Sequence, residues 1–189
     1  MFNQGFTLIE TMIAMTIFMV VIIVGMGAVL NAMNQHAISQ NNRTVMDNLN
    51  FIMEDMSRNI RLGTNFHCVL SSTGEVTSVP QDCPDGSHQI IFNSVSGSTI
   101  TYTITVPTDG SASQITKQVG SGVVQIFNLP EVTIDPLKSG FIVDGSLPPE
   151  GGDTNQPVVN IGLSGSVTYQ GIKSGFSIQT TVASRPLDG

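Results

Sequence analysis

The chain opens with a long apolar run that follows a single acidic residue. No residue from 11 to 33 carries a charge, and the run is interrupted by little more than Gly25 and Gly27. A helix needs about 20 apolar residues to cross the hydrocarbon layer of a bilayer. The pattern therefore predicts a membrane-spanning helix with Glu10 at its head, in which the glycines mark either close helix–helix approach or a point of local opening.

A cleaved secretory signal peptide fits this start less well. Such a signal has a basic beginning, a shorter apolar region and a small-residue cleavage site after it. Residues 1–5 contain no Lys or Arg, and the apolar run is too long. We therefore favour a helix that stays in the mature protein.

The apolar run changes after Asn31 into an amphipathic pattern. Apolar residues recur at steps of three and four, which places them on one helix face. They are Val45, Leu49, Ile52, Met53, Met56 and Ile60. No proline precedes Pro80, so one helix from Phe6 to about Leu62 is predicted, with Gly63 as its stop.

The rest of the chain has the alternation and turn residues of β-structure. A hairpin is predicted from strands at 89–93 and 99–106 around a turn at 94–98 that contains Gly97. Further strands are predicted at 123–129, 158–169 and 176–182, and a loop at 148–153. Strands that follow an amphipathic helix predict an α+β fold, with an antiparallel sheet packed on the apolar face of the helix.

The charge of the chain argues against nucleic acid as a partner. The chain has 7 Lys and Arg against 14 Asp and Glu, a net charge of −7. An acidic domain lacks the clustered cations that nucleic acid phosphates require. The low charge and the many Ser, Thr, Gly and Asn residues indicate a secreted or surface-exposed domain.

The two cysteines, Cys68 and Cys83, have fourteen residues between them. Outside the cytoplasm they are expected to form a disulfide, which would add about 3 kcal/mol by the loop-entropy estimate. The alternative is two unpaired thiols. Zinc is disfavoured because it needs more ligands, and the nearby His67 and His88 lack a recognised spacing.

No catalytic constellation is recognisable. The three histidines, His36, His67 and His88, fall in no nucleophile, metalloprotease or phosphate-loop pattern. The acidic residues Asp144, Glu150 and Asp153 are weak candidates for calcium, since they lack the spacing of an EF-hand. We therefore expect no cofactor, no resident metal and no enzymatic activity.

Glu10 needs an explanation, because a carboxylate in the membrane core costs about 2.5–3.5 kcal/mol at the centre and less near the interface. Such a residue needs a cation, and the apolar segment contains none. One reading places Glu10 in the hydrated headgroup layer. The other gives it a functional partner from outside the segment.

The stretch Gly5-Phe6-Thr7-Leu8-Ile9-Glu10, followed by the long apolar helix, resembles the amino-terminal segment of type IV prepilins and type II secretion pseudopilins. The resemblance implies that a membrane-embedded prepilin peptidase cuts between Gly5 and Phe6 and methylates the Phe6 amine. It also implies that Glu10 pairs with the Phe6 amine of a neighbouring subunit, which sets subunit register. The region of Gly25 and Gly27 lies where such helices are often unwound in filaments.

The resemblance has one departure and two finer features. Leaders of this family usually carry Lys or Arg, and residues 1–4 have none, which suggests inefficient insertion or a start upstream of Met1. The stretch from Asp47 to Arg61 and the ending from Phe176 to Arg185 look similar to J-type minor pseudopilins. The K-type subunit typically lacks the carboxylate that Glu10 supplies.

The expected organisation is a leader at 1–5, a filament-core helix at 6–33, an amphipathic half-helix at 34–62 and a β-rich domain at 63–189. The resemblance implies a minor pilin or pseudopilin in the bacterial inner membrane, with its globular domain in the periplasm or outside the cell. Implied partners are other subunits, the peptidase, the membrane and an inner-membrane assembly platform. The alternative is a membrane-anchored extracytoplasmic binding protein whose uncleaved helix is only a tether.

Overall fold

The structure is a computed structural model that describes residues 7–69, 79–107, 111–147, 155–169 and 171–185. The chain divides into two compact units, Met1–Arg43 and Thr44–Gly189, and the boundary falls within the long helix. The predicted loop at 148–153 lies outside the described residues. The α+β fold is confirmed, since one long helix is followed by antiparallel strands.

Helix α1 spans Leu8–Arg61, 54 residues, close to the predicted limits. Its buried side chains are the six that the amphipathic pattern placed on one face. The ends of the helix have suitable charges, with Glu10 in the first turn and Arg58 and Arg61 in the last. These charges complement the helix dipole, which favours anions at the start and cations at the end.

Gly63 follows the end of the helix, as predicted, for a different reason. Its φ is not in the left-handed region that a glycine cap would use. A Cβ at this position would instead lie 2.5 Å from Phe92 Cδ2 and 3.1 Å from Phe66 Cζ. Gly63 is therefore needed for the close approach of two aromatic rings, and its N–H bonds to Ile60 O at 2.9 Å.

Ten strands are assigned in the described part of the chain: β1 Thr64–Cys68, β2 Cys83–Ser87, β3 Gln89–Asn93, β4 Thr99–Ile104, β5 Ile115–Val119, β6 Gln125–Ile126, β7 Val132–Ile134, β8 Gly140–Asp144, β9 Val158–Tyr169 and β10 Ile172–Ala183. One sheet has the order β1-β3-β4-β5-β6. The other has the order β10-β9-β8-β2, with β7 also paired to β9. All pairings are antiparallel.

The sequence predicted some strands better than others. The bounds of β3 and β9 are as predicted, β10 is longer, and only two residues of the predicted strand 123–129 pair, as β6. Strands β1, β2, β5, β7 and β8 were missed. Strand β2 has the sequence Cys-Pro-Asp-Gly-Ser, which local propensity disfavours, and it forms because β8 supplies a partner.

A single apolar core joins the helix to both sheets. It contains the buried face of α1, Phe66, Phe92 and Tyr102 from the first sheet, and Phe141 and Leu163 from the second. The helix segment within the second unit is therefore held by burial of apolar area, at about 25 cal/mol per Å².

Candidate functional site

The first turn of α1 presents Glu10. Thr7 precedes the helix, and the Glu10 N–H donates to Thr7 O at 3.1 Å and lies 3.4 Å from Thr7 Oγ1. The Thr11 N–H also donates to Thr7 O, at 3.2 Å. Thr7 is thus the helix N-cap, and Thr7-x-x-Glu10 has the spacing of a capping box.

This cap defines the electrostatic environment of Glu10. Its carboxylate is attached at the positive end of the helix dipole, an interaction worth about 0.3–1 kcal/mol at exposed sites. In the described part of the chain, no salt bridge involves Glu10. The helix terminus therefore offsets part of the cost of the acid.

The apolar run behind Glu10 is uncovered. Every residue from 7 to 36 is exposed, and the large apolar side chains there include Leu8 at 78% and Ile23 at 70% exposure. Helix α1 is long and apolar enough to cross a membrane by length and composition. A surface this apolar needs lipid or other protein around it.

Gly25 and Gly27 have no structural requirement within the described chain. The helix is continuous through both positions, and a Cβ on either would meet nothing within 4 Å. Any packing that depends on these glycines must therefore come from a neighbouring chain, or from a state of the helix other than this one.

In the second unit, a polar cluster fixes α1 to the first sheet. Lys117 Nζ lies 2.8 Å from Asp55 Oδ2 and 3.1 Å from Asp55 Oδ1. The Tyr102 hydroxyl donates to Asp55 Oδ2 at 2.6 Å and accepts from Asn59 Nδ2 at 2.9 Å. Lys117 Nζ also lies 5.5 Å from the ring centroids of Tyr102 and Phe127, within cation–π range.

The cluster keeps Tyr102 protonated. Burial raises the pKa of Tyr102 far above its usual value, and the hydrogen bond to Asp55 and the negative charge of Asp55 raise it further. The hydrogen bond from Asn59 opposes this shift. The cluster could not be predicted from the sequence, because Asp55 and Lys117 are 62 positions apart and no local pattern links them.

The predicted disulfide between Cys68 and Cys83 is confirmed. Both residues are buried, and their Cα atoms lie 6.3 Å apart. Cys68 ends β1 and Cys83 begins β2, so the bond joins the two sheets.

The other predicted site residues lie only partly within the described chain. Gly5 and Phe6, and the calcium candidates Glu150 and Asp153, lie outside the described residues. Asp144 is exposed at the end of β8, and no group of three or more metal-ligating side chains forms in the described part. The rings of His67 and His88 hydrogen-bond to the backbone carbonyls of Asn65 and Pro136.

One comparison places the amino terminus among known proteins. The family model described as the prokaryotic N-terminal methylation motif matches residues 1–26. No curated protein and no solved structure matches the chain significantly.

The match and the fold together support one class of protein. The motif supports a type IV pilin-like precursor, and the long amino-terminal helix with antiparallel sheets is consistent with a pilin-like α+β fold. The apolar helix is consistent with membrane anchoring, and the motif suggests processing by prepilin peptidase and assembly with other pilin subunits.

Proposed function

We propose that this protein is a minor pilin or pseudopilin, a structural subunit of a type II secretion or type IV pilus-like filament. The observation that carries the proposal is that the methylation motif and an exposed apolar surface overlap in one segment of the chain. The methylation motif covers residues 1–26, and within it residues 7–26 are exposed and form an apolar surface with Glu10 near its start. A processing signal and a polymerisation surface thus occupy one stretch of chain.

The mechanism we propose is assembly. Prepilin peptidase cuts between Gly5 and Phe6 and methylates Phe6, and the new amine pairs with Glu10 of another subunit. A buried ion pair adds little net stability, but it can specify the register of two helices. The apolar segments at 6–33 then bundle, while the amphipathic segment at 34–62 holds the β-rich domain at 63–189.

The proposed location is the bacterial inner membrane, with the β-rich domain in the periplasm or outside the cell. The Cys68–Cys83 disulfide supports this side of the membrane, because such bonds persist in oxidising compartments. The likeness of 47–61 and 176–185 to J-type minor pseudopilins leads us to propose that subclass. An inner-membrane assembly platform completes the proposed set of partners.

Co-expression of the full chain with a prepilin peptidase tests the proposal. Intact-mass measurement should show loss of residues 1–5 and gain of one methyl group. Gly5→Ala should abolish this change, while the control Gly25→Ala, at a position with open space around it, should leave it intact.

An unprocessed amino terminus would contradict the proposal, as would equal processing of the Gly5→Ala variant. Either result, together with monomers in membrane extracts, would favour the alternative of a membrane-anchored extracytoplasmic binding protein with an uncleaved helix.

A further inference from the structure

The edges of the two sheets differ in how they are protected. Exposed strand edges invite pairing with other chains, and proteins usually block them with bulges, prolines, charges or short strands. Among the described strands, β1 has a register shift beside Asn65, whose φ is 58°. Strand β2 contains Pro84 and a register shift.

Strand β10 has almost none of these protections. It pairs with β9 through twelve consecutive positions without a register shift, and no described strand pairs with its other edge. Between Ile172 and Ala183 it contains no proline, and Lys173 is its one charged residue. In an antiparallel ladder, alternate residues turn their N–H and C=O groups outward, so β10 presents a long row of backbone groups that no described strand pairs.

The same chain carries a segment suited to pair with such an edge. Residues 123–126, which we name the β6 segment, are Val-Val-Gln-Ile at the far edge of the other sheet. Val123 is 87% exposed, Val124 50% and Ile126 59%. Exposed β-branched residues without charge or proline are typical of segments that add to another sheet.

We propose that the β6 segment of one copy pairs with the outer edge of β10 in a second copy, so that a sheet of one subunit continues into a sheet of the next. Neither strand opposes the other with like charge, because Lys173 is the one charge in the two elements. The contact also covers the exposed side chains of Val123, Val124 and Ile126.

The contact is head-to-tail, since it uses different surfaces of the two copies. Such a contact repeats along a row of subunits, whereas a two-fold pairing of β10 with β10 stops at a dimer. This choice of partner rests on the proposed function, because a filament subunit needs a contact that repeats.

Cysteine cross-linking of the full chain in isolated membranes tests the pairing. Both native cysteines are in the disulfide, so introduced thiols react selectively. Two differently tagged chains are co-expressed, one with Val124→Cys and the other with Ser177→Cys, Gln179→Cys or Thr181→Cys, and copper phenanthroline is the oxidant. The expected result is a species of twice the subunit mass that carries both tags.

Two controls keep the result specific. Val95 lies in the turn between β3 and β4 and is similarly exposed. When Val95→Cys is used in place of Val124→Cys, the species of twice the subunit mass should not form. Adding Ser177→Lys to the Gln179→Cys chain should abolish the cross-link, because a charge on the edge opposes strand addition.

Three outcomes would overturn the pairing: no cross-link in any combination, dimers of Gln179→Cys chains alone, or cross-links only to a different protein. The mass of the amino terminus in the same samples separates the two proposals. Processed chains that fail to cross-link refute only the pairing. Unprocessed chains refute the filament function, and a two-tag cross-link between them still supports the pairing.

Discussion

The Tyr102 hydroxyl donates a 2.6 Å hydrogen bond to Asp55 Oδ2 and so ties strand β4 to helix α1. Lys117 of β5 binds the same carboxylate, with Nζ 2.8 Å from Oδ2. The side chains of Lys117 and Asp55 are only 14% and 23% exposed. The helix segment that leads toward the apolar run is therefore fixed to its sheet by a charged contact that solvent screens only in part.

Lys117→Met should destabilise the domain, because it leaves Asp55 partly buried without a cation. We expect the free energy of unfolding to fall by about 2 kcal/mol, below the value for a fully buried pair because solvent reaches both groups. Denaturant unfolding of the full chain in detergent micelles measures the change. Lys138→Met, in an exposed pair with Asp135, is the control and should cost less than about 0.5 kcal/mol.

Adding Asp55→Asn to Lys117→Met should restore part of the lost stability, since no unpaired charge then remains. Equal losses from Lys117→Met and Lys138→Met would show that the Asp55 contact does not stabilise the domain.

The pH dependence of stability should reveal Tyr102. Its pKa is raised in the folded chain above the ordinary value of 10.0, so the fold favours the protonated phenol. Its contribution is complete below pH 10, where the unfolded phenol is also protonated, and it declines as pH rises further because only the unfolded chain releases the proton. Tyr102→Phe should make the alkaline decline of the unfolding free energy less steep.

Tyr169→Phe is the control, because Tyr169 is the other of the chain's two tyrosines. The chain has no tryptophan, so the absorbance of tyrosinate is not obscured. An alkaline decline that is equally steep in the wild type and in Tyr102→Phe would contradict this assignment.

The sequence predicted most of what is periodic in this fold. The buried face of α1 was recovered residue by residue because an amphipathic helix repeats its contacts every three or four positions. Strand β9 was recovered because its alternation extends over twelve residues. Strand β2 and the Asp55–Lys117 contact were not predicted, because both depend on partners distant in sequence.

The same distinction between local patterns and contacts distant in sequence applies to the candidate site. The motif around Glu10 is local, and the Thr7 cap could have been recognised from its Thr-x-x-Glu spacing. The reason why position 63 requires glycine could not be recognised from the sequence, because it depends on how Phe66 and Phe92 pack after folding.

Glu10→Gln should separate the charge of this residue from its place in the cap. Glutamine retains the capping-box chemistry but cannot pair with a cation. We expect membrane insertion and helix content to remain, while recovery of assembled filaments is lost. Filaments are measured by shearing and pelleting, and helix content by circular dichroism. Thr7→Ala, which weakens the cap by about 1 kcal/mol and keeps the carboxylate, is the comparison.

If Glu10→Gln assembles as well as the wild type, the proposed pairing with the Phe6 amine is wrong. If Thr7→Ala alone prevents assembly, the helix start matters more than the charge.

Removal of the disulfide should loosen the connection between the two sheets. Cys68→Ser together with Cys83→Ser should lower the free energy of unfolding by about 3 kcal/mol, because the unfolded chain regains the entropy of an open loop. Reduction of the wild-type protein with dithiothreitol should give a comparable loss, and the double variant should be insensitive to the reductant. Equal unfolding midpoints for the oxidised and reduced wild type would contradict this prediction.

Two glycines of strand β9 provide the sharpest test of packing. A Cβ on Gly165 would overlap the carbonyl oxygen of Thr133 and lie 2.9 Å from Phe176 Cζ, whereas a Cβ on Gly162 would meet nothing within 4 Å. Gly165→Ala should therefore cost about 2–3 kcal/mol through displacement of β7 and the Phe176 ring. Gly162→Ala should be neutral or stabilise by about 0.5 kcal/mol, because it restricts the unfolded chain. Thermal unfolding measures the stability of both variants. Similar melting temperatures would contradict the prediction, because they would mean that β7 does not pack closely enough against β9 to exclude a Cβ at Gly165.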